Sequence, residues 1–319
     1  MNPGKLPPEM MEKLIFPFKG KIRSEVIVGP QIGEDAAVID IGNRYLIVTS
    51  DPIIGTDNLI GYFLVHINAN DIASKGGIPA YMTVTVAFPQ SAGEKDIRNL
   101  MKEIDTEARK LGIAIVGGHT EITTKFNSIV ASGTMIGYAD RVMSLADVNE
   151  GDIIILTKSA GLEGTSIIVS NHTEQVRGKL SEEEIKEAVN YVSSISVVKE
   201  ALIAREKAVF MHDPTEGGIV GGLSELESKS KLNIEVDWDS IPVTELTKKV
   251  CSVFNIDPLH LISSGALLIV VHEADEKWIL SKLQNNGIRA KSIGRFTSKK
   301  GNLIPSYQEE LWKVMKWGD

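Results

Sequence analysis

Acidic and glycine residues recur where the β-branched runs of this chain end, and that recurrence limits the fold more than any other feature. A glycine-bounded turn, Gly33-Glu34-Asp35-Ala36-Ala37, opens a strand signal over 37–41. A second strand signal over 44–49 closes on Ser50-Asp51-Pro52. Residues 58–75 place Leu64, Val65, Ile67, Ala69 and Ile72 at helical spacing, with Asn68, Asn70 and Asp71 among them. Gly76-Gly77-Ile78-Pro79 then predicts the helix end, glycine as a left-handed cap and proline just beyond. The pattern continues with a strand over 81–88, a helix over 93–111, a strand over 113–116 running into a Gly117-Gly118-His119-Thr120 turn with Glu121 after it, and a strand over 128–138. A short helix over 9–15 and a strand over 25–28 precede this series.

A boundary falls near 140–151 and divides a first domain, 1–145, from a second, 146–319. The second half predicts strands over 152–157, 234–236, 265–272 and 288–296 and helices over 181–206 and 215–228, with Cys251 on a further short helix. Strand runs interrupted by helices in both halves imply a two-domain α+β fold.

The 34 basic and 42 acidic residues give a net charge of −8, against the basic excess of a nucleic-acid scaffold. The lone Cys251 makes neither an intrachain disulfide nor a thiolate metal cage, and a buried, inert thiol is expected. Apolar runs such as 265–271 are too short to span a bilayer, and the N-terminus lacks the apolar core of a signal peptide. The expectation is a soluble, cytoplasmic protein without nucleic-acid or membrane partners.

Three clusters could carry chemistry. The acidic residues at strand ends, Asp35, Asp51 and Asp71 with Glu121, suit a hard divalent cation; converging carboxylates repel one another unless a cation sits among them. The plain alternative is that each is a turn or cap residue. The glycine turns at Gly29, Gly33, Gly55, Gly76-Gly77, Gly117-Gly118, Gly161, Gly164 and Gly217-Gly218 allow backbone N–H groups to cradle phosphate. None of them fits a Gly-Lys-Ser/Thr phosphate loop or a dinucleotide Gly-x-Gly-x-x-Gly. The third cluster, His212-Asp213-Pro214-Thr215-Glu216-Gly217-Gly218, reads as an acidic helix start, with Asp213 capping and Pro214 at an early helical position. His119 and Glu121 flank Thr120 and would share one face of a strand, a spacing open to a metal or acid–base role. Asp213, Glu216 and His119 are the candidate catalytic residues, and no Ser-His-Asp or His-Glu-x-x-His arrangement is present.

Taken in order, these motifs resemble the aminoimidazole-ribonucleotide synthetase superfamily. Gly33 to Val38, Ser50-Asp51-Pro52, the run from Asn68 through Pro79 and Gly117-Gly118-His119-Thr120 carry the likeness in the first half. Gly161-Leu162-Glu163-Gly164-Thr165, Asp213 through Gly218 and Ser263-Ser264-Gly265 carry it in the second, so that it spans roughly residues 5–300. Within the superfamily the chain looks most like the hydrogenase-maturation branch, which makes a thiocyanate from a thiocarbamate; thiamine-monophosphate kinase, selenophosphate synthetase and the purine enzymes are other branches.

The resemblance implies a two-domain (PurM-like) fold, with an N-terminal domain whose strands form a β-barrel with those of a second subunit, and a C-terminal α/β domain. It implies a homodimer, ATP at the cleft between the domains, and Mg²⁺ at Asp35, Asp51 and Asp71, with Gly33, Asn68, Gly117, Gly118 and Thr120 as further nucleotide contacts. The implied chemistry is ATP-dependent phosphorylation of an oxygen or another nucleophile on a small substrate, with a protein partner in a maturation pathway as a further expectation. A fold that keeps nucleotide binding without turnover is the alternative, and a purely structural dimer is a third. Three departures stand out. The sequence ends in Trp317-Gly318-Asp319 without the tail cysteine of the maturation branch, and the expectation is that it does not run that branch's reaction by the same route. His119 replaces an aspartate of the kinase and maturation members, with Glu121 as a substitute carboxylate. Glu216 stands where the maturation branch has arginine.

Overall fold

The computed structural model describes residues 5–6, 8–54, 56–299, 304–305 and 308–315. Gly55 and the last four residues, 316–319, lie outside them. The chain divides into two compact units, one formed by 22–29 and 35–142, the other by 143 onward together with 30–34 and the described residues up to Lys21. The division after Val142 lies close to the expected boundary at 145, but part of the N-terminal stretch, including helix α1 (Pro8–Leu14), belongs to the second unit. There Lys229 Nζ reaches Glu12 Oε1 at 3.0 Å, and the Lys5 main-chain N–H donates to Glu216 Oε2 at 2.8 Å.

The first unit is a six-stranded sheet built from β1 (Val26–Val28), β2 (Ala37–Asp40), β3 (Tyr45–Ile53), β4 (Ile78–Pro89), β5 (Ala114–Thr123) and β6 (Val130–Ala139). The order is β1-β2-β3-β6-β4-β5, antiparallel except for the parallel β4–β5 pair. Helix α2 (Ile60–Ser74) packs against β3, β6 and β4, and α3 (Glu94–Lys110) packs on α2. Thirteen of the fifteen residues of α2 are buried, including Asn68, Asn70 and Asp71. A helix buried all round has no solvent face on which to shed its polar groups, so these must find partners inside the protein.

Strand β5 runs through the expected turn. Gly117-Gly118-His119-Thr120 and Glu121 are all within the strand, paired in parallel with residues 83–87 of β4 after a bulge between Met82 and Thr83. Glycine is required at 118: φ is +150°, and a Cβ there would lie 1.8 Å from the Val84 carbonyl oxygen. Every residue from Ala114 to Ile122 is exposed, on both faces of this edge strand.

The second unit holds a five-stranded antiparallel sheet, β7 (Ile153–Thr157), β8 (Ala208–His212), β9 (Asn233–Val236), β10 (Leu268–Val271) and β11 (Ala290–Thr297), in the order β8-β10-β7-β11-β9. Around it lie α4 (Leu162–Asn171), α5 (Thr173–Val176), α6 (Glu182–Asn190), α7 (Val198–Ala204), α8 (Gly218–Ser230), α9 (Glu245–Phe254), α10 (Glu276–Asn285) and α11 (Leu311–Val314). The single helix expected over 181–206 is two. Ser181 caps α6 in a capping box with Glu184, but Lys158 Nζ takes the carbonyls of Ser194 and Ser196 at 2.8 and 2.6 Å, which removes those acceptors from a continuous helical ladder. Cys251 lies within α9, is 1% exposed, and burial pushes its thiol up to about 12, as expected of an inert cysteine.

Candidate functional site

In the first unit the acidic residues do converge. Strand alternation puts Thr49 and Asp51 on the face of β3 that meets α2, and one turn of α2 brings Asn68 and Asp71 to the same place. The Thr49 hydroxyl lies 2.7 Å from Asp71 Oδ2, 3.1 Å from the Asp35 carbonyl oxygen and 3.2 Å from Asp51 Oδ2. The Ser74 hydroxyl donates to Asp35 Oδ2 at 2.7 Å, and the Asp51 main-chain N–H donates to Asn68 Oδ1 at 3.1 Å. Burial pushes the Asp71 carboxyl well above the usual carboxylate range, and the charges of Asp51 and Asp35 push it further; Thr49 pulls weakly the other way. Asp35, Asp51, Asp71 and Asn68 thus form one constellation, held by two hydroxyls, Thr49 and Ser74, that sequence reasoning did not single out. Thr49 was legible by alternation, since it lies two residues before Asp51 in a strand.

Among the described residues no group of three or more His, Cys, Asp and Glu side chains is arranged to enclose a metal ion by itself. The donor set fits a different mode. Mg²⁺ binds through one or two carboxylates and completes its shell with water and phosphate oxygens. A cation arriving with a nucleotide would also offset the repulsion that, together with burial, raises the proton affinity of Asp71.

Glu121 and His119 do not join this constellation within one chain. Pairing runs Asp51–Gly133–Val84–Gly118 across the sheet, so Gly118 and Thr120 share the aspartate face, whereas His119 and Glu121 point to the other. They lie three strands away, about 14 Å at the usual strand spacing. His119 Nε2 and Glu121 Oε2 are 3.4 Å apart and both exposed, so their expected shared face is borne out, although Glu121 does not complete the aspartate set. Gly117 is open to solvent.

In the second unit the 213–218 motif is not the helix start expected of it. The N-cap of α8 is Gly217, with φ +85°, and Asp213 is 1% exposed below it. Gly218 permits the sharp entry: a Cβ there would lie 2.5 Å from the Leu259 carbonyl and 2.7 Å from that of Leu261. His212 Nε2 pairs with Glu225 Oε2 at 3.0 Å. Gly33 packs in this unit against Glu225 and Lys229.

Two buried glutamates here were not assigned roles from the sequence. Glu163, at the start of α4, accepts the Ser264 main-chain N–H at 3.2 Å, and burial pushes it up to about 7. Glu309 accepts backbone N–H groups from Gly217, Leu311 and Ile262. Glu163 had a local signal, an acid between two glycines in an apolar stretch. Glu309, in a polar C-terminal run, had none.

The two family models for AIR synthase related proteins match this chain, the N-terminal domain over residues 33–139 and the C-terminal domain over 149–304. The chain belongs to the AIR synthase related family. A putative hydrogenase expression/formation protein of Methanocaldococcus jannaschii is 27% identical over 286 residues, 87% of this chain and 83% of that protein. Carbamoyl dehydratase HypE of Rhizobium leguminosarum bv. viciae is 24% identical over 82% of this chain and 75% of that one. Thiamine-monophosphate kinase of Pyrococcus horikoshii is 25% identical over 90% and 92%. Of solved structures, a HypE–HypF complex superposes with TM-score 0.75 at 20% identity, covering 91% of this chain and 93% of that one. HypE in complex with ATP gives 0.64 at 20%, covering 91% and 86%. The two-domain fold implied by the sequence is therefore the fold observed. No helix among the described residues is long and apolar enough to cross a membrane.

Proposed function

We propose that this protein is an ATP- and Mg²⁺-dependent enzyme that activates an oxygen of a small substrate, such as a carbamoyl or amide group, by phosphoryl transfer. The observation that carries the reading is the meeting of Asp35, Asp51 and Asp71 around the Thr49 hydroxyl, where burial and the neighbouring carboxylates raise the proton affinity of Asp71. MgATP would supply the phosphoryl group and the charge that neutralises it. Asp35, Asp51 and Asp71 would hold the metal, Thr49 would fix the Asp51 and Asp71 carboxylates, Asn68 would hold the Asp51 main chain, and Gly118 and Thr120 would offer close backbone approach on the same face. Asp213, Glu216 and His119 are the proposed catalytic residues. The ATP complex of HypE, a fold relative, supports the choice of nucleotide.

The exposed edge strand β5 supports a homodimer. Ile115, Val116 and Ile122 are 37%, 57% and 58% exposed on it, and an uncovered two-sided strand is an aggregation hazard unless a partner pairs with it. A protein partner in a maturation pathway is part of the same reading, supported by the HypE–HypF complex.

Thermal unfolding with ATP, Mg²⁺, both and neither tests the site. A ligand at a hundred times its Kd stabilises by about 2.7 kcal/mol. The expected result is a shift that requires both components and is lost in Asp35→Asn; an equal shift in that variant would remove the metal assignment. ATP binding without turnover on any small acceptor would favour the non-catalytic alternative.

A further inference from the structure

A cavity of about 600 Å³ opens in the second unit, where the edge strand β9 meets β11. It lies at the opposite end of the sheet from the motif loops. Arg295 pairs with Ile153 at one end of β7, and Ala290 with Thr157 at the other. The 161–165 loop follows the Thr157 end, and the 213–218 and 263–265 loops adjoin His212 and Leu268, which pair at that same end. Gly151 and Thr297 line the cavity at the Ile153 end, about 14 Å away at the usual rise of a strand.

Three kinds of group meet there. Ile234, Phe296 and Ile304 are buried and give an apolar lining. Trp238 stands with them and is 40% exposed, so its ring offers a stacking surface to an aromatic ligand. Arg295 and Lys299 bring two cations. The carboxylates of the cavity are already engaged. Glu235 Oε2 accepts from Arg295 Nε at 2.9 Å, and Glu150 Oε1 takes the Ser298 hydroxyl at 2.8 Å and its N–H at 3.3 Å. Nε is a single donor of the guanidinium fork, so the terminal nitrogens of Arg295 can hold an anion.

The strand edge supplies the third kind. The Asp237 N–H donates to the Ile293 carbonyl, and Phe296 bonds to Gly151 and Asp152 on the β7 side. Bonding direction alternates along an antiparallel strand, so Glu235 faces β11 while Ile234 and Val236 turn their main-chain groups outward. No strand follows β9 in the sheet. Ile234 gives its N–H to Glu227 at 3.0 Å, whereas Val236, which lines the cavity, presents an N–H and a C=O side by side. A neighbouring donor and acceptor match the hydrogen-bonding edge of a nucleobase.

We propose that this cavity is a second ligand site that takes a nucleoside monophosphate, its base stacked on Trp238 with one edge at Val236 and its phosphate on Arg295 and Lys299. The site stands on its own residues and does not depend on the nucleotide reading of the aspartate constellation. Stacking accepts any base, so discrimination among bases falls to the Val236 edge.

Calorimetric titration of the full chain with adenosine, guanosine, cytidine and uridine monophosphates in EDTA tests this, because chelation removes binding that needs Mg²⁺. Saturable one-to-one binding of at least one monophosphate is expected. Ribose 5-phosphate, without the base, and the matching nucleoside, without the phosphate, should each bind on the order of tenfold more weakly. Trp238→Ala and Arg295→Ala should each weaken the monophosphate by a similar factor, and Asp35→Asn should leave it unchanged. No binding of any of the four, equal affinity for ribose 5-phosphate, or parental affinity in either Trp238→Ala or Arg295→Ala would overturn the proposal. Loss of binding in Asp35→Asn would place the ligand at the aspartates and overturn it as well. Should a cavity variant fail to fold, Lys299→Gln on the exposed rim decides by the same comparison.

Discussion

Removing one charge from the aspartate constellation should stabilise the ligand-free protein while destroying its response to MgATP. The two carboxylate oxygens of Asp71 and Asp51 sit 2.7 and 3.2 Å from the same hydroxyl, which bounds their separation at about 5.9 Å. Two full charges at that distance, in an effective dielectric of about 20, repel by roughly 3 kcal/mol. The raised proton affinity of Asp71 relieves part of this, so the recoverable portion in Asp51→Asn is on the order of 1 kcal/mol. At about 2–4 °C per kcal/mol the variant should melt a few degrees above the parent without ligand. The repulsion exists only while Asp71 is ionised. The difference should therefore widen as pH rises and narrow as Asp71 takes up its proton. In saturating MgATP the order should reverse, because the parent gains a ligand that the variant cannot hold. Differential scanning fluorimetry across pH, with and without MgATP, reads both effects. A variant that melts below the parent when free, or that keeps the full MgATP shift, would refute the reasoning.

Three other perturbations follow from the same geometry. Gly118→Ala places a Cβ 1.8 Å from the Val84 carbonyl and should cost on the order of 3 kcal/mol in urea unfolding; a loss below about 0.5 kcal/mol would mean that β5 is not held against β4 as described. Burial raises Glu163 to about 7 from the ordinary carboxylate range, so its share of the parent's stability is lost as pH climbs from that range to about 7, a share that Glu163→Gln does not lose. The two should melt alike near pH 4.5 and the variant higher near pH 8, and parallel pH profiles would contradict this. Val116→Asp puts a charge on the uncovered edge strand and should turn a dimer into a monomer by sedimentation velocity; a parent already monomeric would exclude this strand as an interface.

What the sequence made legible depended on how local the determining force was. The helix at 58–75 and its glycine stop were readable because periodicity and capping are short-range, and α2 spans 60–74 as a result. The aspartates were readable as a set because alternation and helical spacing fix which residues share a face. Where a distant group decides the backbone, the reading failed. Lys158 captures the carbonyls of Ser194 and Ser196 and divides the predicted helix. Parallel pairing with β4 draws Gly117-Gly118 into a strand although two glycines locally signal a turn.

Glu309 marks the far end of that scale. Nothing in Gln308-Glu309-Glu310 distinguishes one glutamate from the other. Their difference arises because Glu309 meets the N–H groups of Gly217 and Ile262, 92 and 47 residues away, while Glu310 pairs with Lys313 three residues on. The first pairing closes long loops and exists only in the folded chain, and burial there raises the proton affinity of Glu309. The second is available to any short helix. A junction of the first kind can report on folding at the motif loops, since loosening either loop must loosen residues 308–315. It follows that a variant such as Gly218→Ala, whose Cβ would meet the Leu259 and Leu261 carbonyls at 2.5 and 2.7 Å, should expose the 308–315 amides as well as its own loop. Protection of 308–315 that survived this substitution in a folded protein would show that this segment rests on Leu311 and Val314 alone.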